Sequence, residues 1–137
     1  MNTRRIINQC TAMTCKELEA FAAKNYKIVY NHITKTYAGG KAHTLLIGSI
    51  YTCIAVDGKF SDSENNFIRS FIEESTYDQN FETVSEFYND EAKRIVKELA
   101  KLFPEDVKEA YISLCIAVLS VDKRVDDYEK SFLKDII

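Results

Sequence analysis

Apolar positions along this chain recur mostly at the spacing of one face of an α-helix. Leu18, Phe21, Ala22, Ile28, Val29 and Ile33 approximate that period. Thr14-Cys15-Lys16-Glu17 stands in front of them with a Glu three residues after a Thr, the pattern of a capping box. The pair predicts a helix from Thr14 to about Tyr37, ended by Gly39-Gly40. A second helix is expected through Leu45, Leu46, Ile50, Cys53, Ile54 and Val56, apolar nearly all round and therefore central. After a break at Asp57-Gly58-Lys59, a third starts near Ser61 and carries Phe67, Ile68, Phe71 and Ile72. Residues 81–88 read as a short helix. Residues 91–103 read as an amphipathic one with Ile95, Val96, Leu99 and Leu102 on its apolar stripe. Pro104 is placed at the first turn of the next helix, which is strongly apolar from Val107 to Val121. A break at Asp122-Lys123-Arg124 leads to a last short helix ending at Ile137. The expectation is one all-α domain over residues 1–137, a compact bundle of about six or seven helices.

Composition narrows this reading without naming a function. A chain of 137 residues buries roughly two-thirds of its unfolded surface, enough for one real core. One Pro and four Gly are too few for a many-stranded sandwich or barrel, which needs frequent turns. With 18 Lys and Arg against 21 Asp and Glu the net charge is -3, so no basic face points to nucleic acid. Arg4 and Arg5 have no long apolar run behind them, so no secretory signal is expected and the location is read as cytoplasmic. Residues 44–56 and 111–121 are the most apolar stretches, and both fall short of the roughly 20 residues that span a bilayer. Cys10, Cys15, Cys53 and Cys115 form no Cys-x-x-Cys pair and no zinc-finger spacing with His, so they are read as structural thiols. His32 and His43, on either side of the Gly pair, are read as solvated helix residues rather than catalytic bases.

The chain also repeats itself at an offset of 65. Residues 56–72 and 121–137 share six of seventeen positions: Val56 and Val121, Asp57 and Asp122, Asp62 and Asp127, Glu64 and Glu129, Phe67 and Phe132, Ile72 and Ile137. Average composition gives roughly one identity by chance. Each copy follows a strongly apolar helix, so the repeated unit is a buried helix, an acidic turn and an amphipathic helix. Two such hairpins, residues 44–72 and 108–137, can bury their apolar helices against each other.

Capping explains much of the acidity in these turns. Ser61 and Asp126 suit N-cap positions, and Glu64 and Glu129 then fall at the third helical residue. Asp62 and Asp127 lie in the first turn, where the helix dipole favours a carboxylate. Asp57 and Asp122 are different. They sit at the C-terminal end of an apolar helix, the negative end of its dipole, where an anion is locally unfavourable. A bound cation, a neighbouring Lys or Arg, or a side-chain bond to the turn's own N–H groups would each compensate. A calcium EF-hand does not fit. Counting from Asp57, the sixth residue is Asp62 where Gly is required, and the twelfth is Ile68 where a bidentate Glu is required; Asp127 and Leu133 fail in the same places after Asp122.

These turns resemble the tellurite-resistance TerB-like family, in which an Asp-Gly-x-apolar-x-x-x-Glu pattern follows a run of small and apolar residues. The first copy is residues 53–64, with Asp57, Gly58, Phe60 and Glu64 in the pattern. The second is residues 117–129, with Asp122, Val125 and Glu129, and it departs by placing Lys123 where the Gly stands. The motif-bearing likeness covers about residues 44–72 and 108–137, and the first forty residues match nothing in it. The resemblance implies a compact helical domain with two related helix-turn-helix units, linked to tellurite and other stress responses. It implies a metal site at Asp57 and Glu64, then Asp122 and Glu129.

The function expected on these grounds is a non-enzymatic, cation-binding stress domain. Calcium or magnesium is favoured over zinc, because the recurring side chains are carboxylates. The alternative is a helical interaction or scaffold module with no ligand, its Asp residues only closing turns. A protein partner fits either reading; nucleic acid and membrane insertion fit neither. No Ser-His-Asp series, Gly-rich phosphate loop or His-rich metal motif supports an enzyme.

Overall fold

A computed structural model describes residues 3–36, 62–71, 94, 97, 98 and 100–122, except for the side chains of Asp62, Glu64, Asn65, Arg69, Phe71 and Asp122. Among the described residues all regular structure is helical and no strand occurs. The elements are α1 (Thr3–Thr11), α2 (Cys15–Thr36), α3 (Asp62–Phe71) and α4 (Glu105–Leu119), with a 3-10 turn at Ser120–Asp122. Residues 94, 97, 98 and 100–102 are also helical. The expected helices through 44–56, 81–88 and 125–137 lie outside the described residues. So does the comparison of the two repeated units, since only parts of each are described.

The longest element, α2, follows the expectation closely. Its start is closed by a reciprocal pair: Thr14 N donates to Glu17 Oε1 at 2.9 Å, and Glu17 N donates to Thr14 Oγ1 at 3.2 Å. This supplies an acceptor for one orphan N–H of the first turn and ties down the residue before it. From there Leu18, Ala22, Asn25, Val29 and Ile33 form one buried stripe, four or three residues apart. Phe21 packs at its edge, whereas Ile28 is on the exposed side. Asn25 is the surprise in that stripe. Its side chain stays buried by donating from Nδ2 to Phe21 O at 2.9 Å, which removes part of the cost of burying an amide.

Helix α4 is the centre of the described core. Val107 and every residue from Ala110 to Leu119 are buried. Only Glu105 and Asp106 in the first turn, Glu109, and in part Lys108 reach solvent. The two acids lie at the positive end of the helix dipole. Pro104 is the residue before the helix rather than its first residue, because its ψ of 158° is extended. Its carbonyl accepts Lys108 N at 2.8 Å and closes the first turn. At the other end the chain tightens into the 3-10 turn. There the fully buried Ser120 hydroxyl finds its acceptor at Ile116 O, 2.7 Å away.

The other described helices pack around α4. α2 makes the broadest contact with it, and α1 and α3 also lie against it. α1 belongs to the core as well: Ile6 and Cys10 are buried, one turn apart. Met13 N donates to Cys10 O at 3.1 Å, and the Thr11 hydroxyl donates to Ile7 O at 2.9 Å, ending α1 before the α2 cap. In α3, Phe67 and Ile68 are buried as expected.

The segment before α4 corrects the expected stripe. Leu102, placed on the inner face, is 73% exposed, while Ala100 and Phe103 are buried. Phe103 is held edge-on by two rings, His32 of α2 at 5.6 Å and Tyr111 of α4 at 5.9 Å. That aromatic contact turns Phe103 inward and leaves Leu102, 100° away around a helix, facing water. His32 is accordingly half-buried against a ring instead of fully solvated. Ile95, Val96 and Leu99, the other expected stripe residues, lie outside the described residues.

Candidate functional site

Of the carboxylates singled out in the sequence, Glu64 lies in the first turn of α3 and Asp122 in the turn after α4. α3 begins at Asp62, one residue after Ser61, which makes Glu64 its third residue. Asp122 is the last residue of the 3-10 turn that follows the buried α4. The backbone of Glu64 and Asp122 is thus described, while their side chains lie outside the description, as do Asp57 and Glu129 entirely.

One tertiary contact relates the two acidic segments. α3 packs against the 3-10 turn, with Cα atoms of the two within 8 Å of each other. The helix that follows the first acidic turn thus touches the residues that open the second. A ten-residue helix is about 15 Å long, so the first turn of α3 and Asp122 lie within about one helix length plus that contact. The packing residues explain the contact: Phe67 and Ile68 on α3 are buried, and Val121 of the 3-10 turn packs against the same core.

Among the described residues no group of three or more His, Cys, Asp or Glu side chains comes together as a metal cage. Glu17 and Cys10 have shifted pKa values. In Glu17 the N–H of Thr14, then its hydroxyl, hold the carboxyl below the ordinary carboxylate range. Burial pushes the Cys10 thiol up to about 11, which keeps it neutral and apolar in character at neutral pH. Cys10 and Cys115 are buried free thiols, and Cys15 is an exposed one at the first residue of α2 with its Sγ 3.8 Å from Glu19 Oε1. The structural reading of these three thiols needs no disulfide; Cys53 lies outside the described residues. Burial of Cys10 was signalled in the sequence only by Ile6 four residues earlier, a pair too short to stand out.

Comparison with protein-family models, curated proteins and solved structures finds no match for this chain. No helix among the described residues is long and apolar enough to cross a membrane.

Proposed function

We propose that this chain is a non-enzymatic, TerB-like stress-response domain whose two acidic turns, opening at Asp57 and Asp122, together hold a divalent cation. The observation that supports the reading is the packing of α3, which begins inside the first motif, on the 3-10 turn Ser120–Asp122, which holds the first acid of the second. Two carboxylates from a single turn cannot fill the six or more oxygen positions calcium takes, so a usable site needs both turns with backbone carbonyls or water. Oxygen ligands favour calcium or magnesium over zinc. Asp57 is the stronger ligand of the two turns, since the adjacent Gly58 lets the backbone bend toward an ion, whereas Lys123 competes beside Asp122.

A second reading, a helical scaffold module with no ligand, is favoured by the cap at Thr14. The chain uses a Thr-x-x-Glu sequence there as a reciprocal cap. Ser61-x-x-Glu64 has the same spacing directly at the start of α3, so Glu64 has a structural role available to it.

Titration of the full chain with calcium, magnesium and zinc, by calorimetry and by thermal melting, separates the two. Under the cation reading calcium or magnesium raises the melting temperature, Asp57→Asn abolishes that rise and still folds, and Glu64→Gln weakens it. No heat of binding and identical melting of wild type and Asp57→Asn, with and without metal, would overturn it in favour of the scaffold.

A further inference from the structure

We draw no further inference here: the strongest candidate, the exposed apolar side chain of Leu102 on the last helical residues before α4, carries nothing because nothing in the structure shows what covers it.

Discussion

Helices α2 and α4 lie against each other and are stabilised in opposite ways. α2 is amphipathic, with one buried stripe and a water-facing side. Its N-terminus is closed by side chains, Thr14 and Glu17 bonding each other's backbone. α4 has no side-chain cap, and Pro104 precedes it with only a carbonyl to offer. What holds α4 is burial on nearly every side, each fully buried Ile or Leu contributing about 1.5–3 kcal/mol. Local chemistry thus defines where α2 begins, and surrounding helices define α4. An apolar helix such as α4 has no preferred face of its own, so it depends on neighbours arriving from several directions.

The largest effect expected from this contrast is in α4. Leu114 has no exposed surface, so Leu114→Ala should cost about 2–5 kcal/mol through lost transfer energy and the cavity left behind. Denaturant unfolding reads it as a lower midpoint at nearly unchanged slope. A loss below about 1 kcal/mol would mean that α4 is not the centre of the core.

In α2 the comparable test is at the cap. Thr14→Ala removes the acceptor for Glu17 N and should cost about 1 kcal/mol, with the same unfolding measurement. An unchanged midpoint would show that α2, like α4, is held by packing alone.

A pH series sharpens the same point. The folded pKa of Glu17 is lowered, so its ionised carboxylate stabilises the fold above the unfolded value, near 4.5, and that stability is lost as pH falls through the lower folded value. Wild type should exceed Glu17→Gln in stability at pH 7, and the gap should narrow below pH 4.5. A gap constant from neutral to acidic pH would place the effect in packing and not in charge.

The smallest effect is expected just before α4. Leu102 is mostly exposed, so Leu102→Gln should change stability by no more than about 0.5 kcal/mol. A larger loss would restore Leu102 to the inner face.

Much of this architecture is legible one helix at a time. The Thr14–Glu17 cap involves residues three apart, so sequence spacing and geometry are the same information. α2 is helical throughout its described length to Thr36, while the expected end near Tyr37 and the Gly pair lie outside the described residues. The burial of 110–119 follows from an apolar run with no polar face to expose. Of the acidic motifs, Glu64 is the third described residue of α3 and Asp122 follows the buried α4, while Asp57 and Glu129 lie outside the described residues.

Tertiary structure alone decided the rest. Around residues 100–103, Ala100, Leu102 and Phe103 are all apolar, so periodicity allows more than one inner face; the rings of His32 and Tyr111, distant in sequence, select Phe103. Asn25 lies in register with the buried stripe of α2, but its amide hides that from a hydrophobicity pattern, and only the bond to Phe21 O makes its burial tolerable. Helix α1 buries Ile6 and Cys10, with Ile7 partly buried beside them, too little to stand out in a nine-residue segment, and its packing against α4 gives them a place to go. The approach of α3 to the 3-10 turn is of the same kind. Residues about 50 apart in sequence meet because each buries its own apolar side chains in one shared core, and no spacing within either segment encodes that meeting.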